Sequence, residues 1–312
     1  MIEAVTLSGG GIEARIISFG AAIQAVRVPD RHGNLADVAP GFADLESYVA
    51  DRQYFGVTVG RVANRIARGR FMLDGRACQV RVNNGTNSLH GGSPGFDKAV
   101  WELVGTSDRE PATATLRHVS PDGDQGFPGT LTVTATYALD ARGTLCVDYV
   151  ATTDAPTVAN LSSHAYWNLA GEGSDVGALD HRLTVPADHY LPTDLGAIPT
   201  GEFGPVEGTP FDFRRPKRIG APVPDGSDDQ IGIGPGYDHN WVIARDVAAK
   251  PRLLARLEEP VSGRVLEILS NQPGLQFYSG NFLNGTFSGK AKKIYRGGDA
   301  IVMEPQIFPD AI

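Results

Sequence analysis

The sequence predicts an all-β protein with very little helix, and three observations carry that prediction. The 38 glycines and 21 prolines fall between short segments that alternate apolar with polar residues. Asp74-Gly75 stands between Phe71-Met72-Leu73 and Gln79-Val80-Arg81-Val82, the signal of a tight hairpin whose two central residues need positive φ. Thr130 to Leu139 alternates Thr with Leu, Val, Ala and Tyr, and Asp140-Ala141-Arg142-Gly143 joins it to Leu145 to Thr153 as a second hairpin.

Taken in order, Ile12 to Ser18 and Ala22 to Val28 read as strands broken at Phe19-Gly20, followed by a turn at Pro29 to Gly33. Asp44-Leu45-Glu46-Ser47-Tyr48 is the short helix the chain offers, with Asp44 as its cap. Leu253 to Glu258 and Arg264 to Ser270 pair around Pro260 to Gly263, and Leu275 to Tyr278 and Ala300 to Glu304 add further strands. Residues 171 to 236 are rich in Pro and Gly and show few clean strands. No repeat, low-complexity segment or composition shift divides the chain, so residues 1 to 312 are expected to form one domain, a length that large β-sandwiches reach.

Composition narrows the function. Hydrophobic residues at 41% and charged ones at 21% suit a soluble protein with a sizeable core. A formal net charge of -8 disfavours nucleic acid and anionic membrane as partners. Cys78 and Cys146 are too few for a disulfide framework and lack zinc spacing, so they are expected to be free thiols. Without a basic and apolar start or a run of eighteen apolar residues, the expected location is cytoplasmic.

Six stretches hold chemistry. Asn160 to Gly171 crowds His164, hydroxyls, amides and aromatics together, and His164 is the natural proton donor there, although a lone His among aromatics is more often a packed one. Gly60 to Arg70 sets Asn64 beside Arg65; Arg61, Arg68 and Arg70 read as a solvated face. Asn83 to Gly92 is a polar loop with three glycines, ending at His90, whose backbone can approach a ligand closely. Gly236 to Trp241 places Asp238 between aromatics, and Asn271-Gln272-Pro273-Gly274 offers an amide at a turn. Glu304 ends the apolar run Ala300 to Met303, where a carboxylate either caps the strand in solvent or sits desolvated with raised proton affinity. No HExxH or comparable spacing occurs, so no metal site is expected.

The stretches GRVANRI, NSLHGG, NLSSHAYWNLAG, GYDHN, NQPGLQFYSGNFL and MEPQIFPDA, in this order, resemble the aldose 1-epimerase (galactose mutarotase) family over essentially the whole chain. The resemblance implies a large antiparallel β-sandwich with a sugar-binding cleft, and a cofactor-free interconversion of the α and β anomers of an aldohexose. It makes Glu304 the general base and His164 the general acid, with Asn64, Arg65, His90, Asp238 and Gln272 as substrate ligands. His32, His118, His181 and His189 are left structural or on the surface. Competing readings are a non-catalytic carbohydrate-binding sandwich, a glycoside hydrolase using Asp238 and Glu304, and a hexose-6-phosphate 1-epimerase. Ile312 lies eight residues beyond Glu304, whereas members of the family continue through further strands. That departure predicts an uncovered strand edge beside Glu304, and with it a longer natural chain or an edge closed by another protomer, hence a monomer or homodimer.

Overall fold

The computed structural model describes residues 2–221 and 228–312. Strand dominates; among the described residues α-helix is confined to Leu45–Ala50 and Asp229–Ile233. Asp44 caps the first of these, accepting from the Ser47 N–H at 2.8 Å, as its sequence position requires. The fold is an antiparallel β-sandwich: four-stranded sheets from the first half of the chain, another from the second half, and a six-stranded sheet that carries the site.

The long alternating strands form as their pattern predicts. Leu131–Leu139 pairs residue for residue with Leu145–Thr153 on one side and with Ala112–Ser120 on the other. Its Leu131, Val133, Ala135, Tyr137 and Leu139 are buried while the intervening residues are half-exposed, the period-two signature of a sheet with one face on the core. The Asp74-Gly75 turn has φ of 48° and 76° and joins Arg70–Leu73 to Arg76–Gln79. Strands Ala4–Gly9, Glu102–Ser107 and Ala112–Ser120 went unread in the sequence, as did the strand Asp238–Val242. Between residues 171 and 221 the strands are two or three residues long; 222–227 lie outside the described residues.

The six-stranded sheet runs Tyr166–Trp167, Ile301–Gln306, Gly274–Tyr278, Asp238–Val242, His189–Leu191, Gly204–Pro205. Its pairing places Glu304 opposite Gln276 and Gln276 opposite Asn240, a row of polar side chains across three neighbouring strands. One residue on, the same strands turn Trp241, Leu275, Phe277 and Met303 to the other face, where they join the main hydrophobic core. One sheet thus has a polar face and a core face, which puts a carboxylate over a rigid support.

Two expectations are corrected here. The Glu304 strand is not an edge. Tyr166 and Trp167 pair with Val302 and Ile301, the Ser162 hydroxyl donates to the Pro305 carbonyl at 2.9 Å, and the Asn160 amide bonds both N–H and C=O of Ile307 at 3.1 and 3.2 Å. Residues 160 to 167 therefore cover the side that the sequence left open. Nor is Arg61 on a solvated face. It is 1% exposed, and its guanidinium donates to the Ser120 hydroxyl and to Thr157, and to the carbonyls of Ser120, Pro121 and Pro128. These oxygens crowd where two loops meet, and a flat five-donor group satisfies them all, so a cation that looks surface-bound in the sequence becomes an internal tie. Arg68 and Arg70 are exposed.

Candidate active site

Three segments converge on the polar face of the six-stranded sheet. The two-residue ladder Arg65–Ile66 with Ser88–Leu89 brings Asn64 against His90: the His90 N–H donates to the Asn64 carbonyl at 3.0 Å and the Asn64 N–H to His90 Nδ1 at 3.2 Å. Both residues hold positive φ, 61° and 49°. His164 follows the Ser162–Ser163 strand, which pairs with Thr58–Val59, and its backbone is fixed by bonds to Val57 and Gly56. The sheet itself supplies Asp238, Gln276 and Glu304.

The centre is a carboxylate beside an imidazole. His164 Nε2 lies 3.8 Å from Glu304 Oε1, and the two residues are 5% and 2% exposed. Burial pushes the Glu304 carboxyl up to about 8, with the Asp238 charge adding to the rise and Arg65 opposing it. Burial likewise pushes His164 down to about 4. Glu304 Oε2 and Gln276 Oε1 are buried with no hydrogen-bond partner in the protein, polar atoms left ready for a polar ligand. Around them, Asp238 accepts from Gln276 Nε2 at 2.8 Å and lies 3.8 Å from Arg65 Nη2, while Arg65 Nε donates to Asn84 at 3.1 Å. Asn64 Oδ1 accepts from the Arg65 N–H at 2.9 Å. Tyr54 packs its ring against both His90 and His164, with centroids 4.6 and 5.6 Å away.

Six of the seven residues singled out in the sequence meet here: Asn64, Arg65, His90, His164, Asp238 and Glu304. Gln272 does not join them. It sits in the turn before the strand, bonded to Asn271 and Ser270, and the amide that reaches Asp238 is that of Gln276. The turn position suggested Gln272, but the strand's own alternation decides the matter: Gln276 is a lone amide inside Gly274–Tyr278, on the face shared with Glu304. Tyr54 escaped notice, since it carries no charge and stands in none of the six stretches, and Asn84 was passed over within the Asn83 to Gly92 loop in favour of His90. Of the other histidines, His32 and His189 are exposed, His118 packs on Phe96 and Trp101, and His181 is buried, accepting from the Leu169 N–H at 2.8 Å.

A family model described as aldose 1-epimerase matches residues 3–312. The chain belongs to the aldose 1-epimerase family. A galactose mutarotase from Sus scrofa is 44% identical over all of this chain and 87% of its own length. An aldose 1-epimerase from Escherichia coli K12 is 36% identical over 97% of this chain and 85% of its own. The crystal structure of a GalM/aldose epimerase homologue from C. elegans superposes with a TM-score of 0.86 at 30% identity, covering 100% of this chain and 91% of that one. As an aldose 1-epimerase the chain is an isomerase of aldose anomers, and the fold is that of the galactose mutarotases.

Proposed function

We propose that the substrate is an aldohexose of the galactose or glucose type, opened and reclosed by Glu304 and His164 while Arg65, Asp238, Gln276, Asn64 and His90 hold its hydroxyls. The carrying observation is the 3.8 Å approach of a buried carboxyl, its second oxygen unpartnered, to a buried imidazole.

The chemistry follows from one proton. In the ligand-free pair, burial puts that proton on the carboxyl and leaves the imidazole neutral. Moving it to His164, across a 3.8 Å gap that a bridging hydroxyl can span, creates an ionised base and a charged acid together. Glu304 then takes the proton of the C1 hydroxyl, His164 gives its proton to the ring oxygen, and the bond between C1 and that oxygen breaks to an aldehyde. Rotation about C1–C2 presents the other carbonyl face. Closure returns each proton, His164 recovering its own from the C5 hydroxyl as Glu304 protonates the new C1 oxygen. Arg65 and Asp238, an ion pair at 3.8 Å whose members are hydrogen-bonded to Asn84 and Gln276 respectively, are a pre-set grip for hydroxyls far from C1.

Arg61, a cation that a sugar phosphate would want, is fully engaged with neutral oxygens, which favours an unphosphorylated sugar. No helix among the described residues is long and apolar enough to cross a membrane, and both cysteines are free thiols, which supports a cytoplasmic setting. Two-dimensional exchange NMR on freshly dissolved α-galactose and α-glucose tests the reading: cross-peaks between anomeric protons should grow with protein concentration. Anomers that equilibrate no faster than in buffer would refute it.

A further inference from the structure

The floor of the site holds a cluster with two hazards. The ligand atoms of His90, His164 and Glu304 all lie within 4.8 Å of one another, and two imidazoles with a carboxylate are a donor set for zinc or ferrous iron. The two imidazole rings are also close, 5.3 Å between centroids, so a proton released to one could pass to the other. An enzyme that must send one proton back and forth between a defined acid and a defined base is served by neither event.

One hydrogen bond bears on both. The Asn64 N–H points at His90 Nδ1 from 3.2 Å, and a backbone N–H can only donate. Nδ1 must therefore present its lone pair, and the proton of the neutral ring must sit on Nε2. The contact is held by the return bond from the His90 N–H to the Asn64 carbonyl and by the left-handed backbone at both residues, a conformation that Asn tolerates and branched residues resist.

We infer that the Asn64 main chain locks His90 as an Nε2–H donor, which keeps it out of the proton traffic between His164 and Glu304 and makes the three-residue cluster a poor metal site. The inference rests on the proposed sugar-opening reaction only for its purpose; the tautomer belongs to the ligand-free protein. To bind a metal through Nε2, His90 would have to carry its proton on Nδ1, facing the Asn64 N–H head on. Losing that bond and stranding a buried donor weakens metal binding roughly ten- to hundred-fold. Burial also pushes His90 well below the ordinary imidazole range, so the second proton that would make Nδ1 a donor is not taken up near neutrality. Whatever sugar atom meets His90 must then be an acceptor throughout the reaction.

The test reads the ring directly. Long-range ¹H–¹⁵N correlation spectra of the ligand-free protein, assigned by comparison with His90→Gln, should show His90 Nδ1 unprotonated and Nε2 protonated from mildly acid to mildly alkaline pH. Calorimetric titration with Zn²⁺ should show no saturable site that involves His90. Asn64→Gly keeps the N–H and the left-handed backbone, so it should keep both properties. Asn64→Val, strained at that φ, should mix the tautomers and bind Zn²⁺ roughly ten- to hundred-fold more tightly than wild type. If the valine variant does not fold, the wild-type and glycine spectra still decide. An unprotonated Nε2 in the wild type, or stoichiometric Zn²⁺ binding that shifts the His90 resonances, would overturn the inference. Neither readout uses turnover, so failure of the proposed reaction would be seen separately.

Discussion

Among single residues, Glu304 and His164 carry the sharpest expectations. Glu304→Gln and His164→Asn should each lower kcat by about 10² to 10⁴ with little change in KM, because each removes one proton carrier. The pH profile should be a plateau bounded by the two shifted groups. Below about 4 the pair holds two protons and has no base; above about 8 it holds none and has no acid. Saturation-transfer rates measured across that range should fall on both sides, and a profile flat into strong acid would refute a carboxylate base. Stability should run the other way for Glu304. Its carboxyl, raised from 4.5 to about 8 by folding, contributes fully below 4.5 and loses that contribution as pH climbs through about 8. The Glu304→Gln protein should therefore gain on wild type in melting temperature as pH rises across that interval. The two glutamines separate in the same way: Gln276→Leu should raise KM by roughly ten-fold or more by freeing Asp238, and Gln272→Ala should leave it unchanged, since a single hydrogen bond to a charged group contributes about 1.5–3 kcal/mol.

At the level of strands and loops, the question is what holds the site still. Arg61 ties the segment before Asn64 to the loops at Ser120 and Pro128. Arg61→Leu leaves several buried carbonyls without a donor and should cost about 3 kcal/mol or more in denaturant melts. Gly274 plays a different part. A Cβ there would lie 2.5 Å from the Asn240 side-chain amide, which in its satisfied orientation bridges the Gln276 N–H and the Gln306 amide at 3.2 Å each. The absence of a side chain at 274 is what lets that bridge form beneath Glu304. These ties mark the boundary of what the chain discloses by inspection. The alternating strands, the Asp-Gly hairpin and the Asp44 cap are local patterns with local causes, and they were legible. Gln276 was marked only by its alternation with Leu275 and Phe277, a short signal that the turn at Gln272 outweighed. Arg61 depends on which loops meet across the sheet, and neither spacing nor composition encodes that meeting. The covering of the Glu304 strand was hidden for the same reason: residues 160 to 167 were read as a site, and they serve as site and as neighbouring strand together.

For the molecule as a whole, buried imidazoles set the response to acid. Burial holds His164, His181 and His239 at about 4 and His90 well below its ordinary value of 6.5. Unfolding lets all four take up protons below 6.5, so their contribution is complete above that pH; that of His164, His181 and His239 is lost as pH falls through about 4, and His90 acts in the same direction. Urea melts should show stability declining steeply over this interval, and replacing His181 by Gln should flatten the decline; an unchanged slope in that variant would contradict the assignment. The six-stranded sheet has a further consequence. The residues that carry Asn240, Gln276 and Glu304 on one face alternate along the same strands with Trp241, Leu275, Phe277 and Met303 of the core on the other. The amide protons of these strands should thus be among the slowest to exchange with deuterium, released only when the entire chain opens. Heat inactivation and the loss of near-ultraviolet circular dichroism should follow a single curve, leaving no temperature at which the protein is still folded but idle.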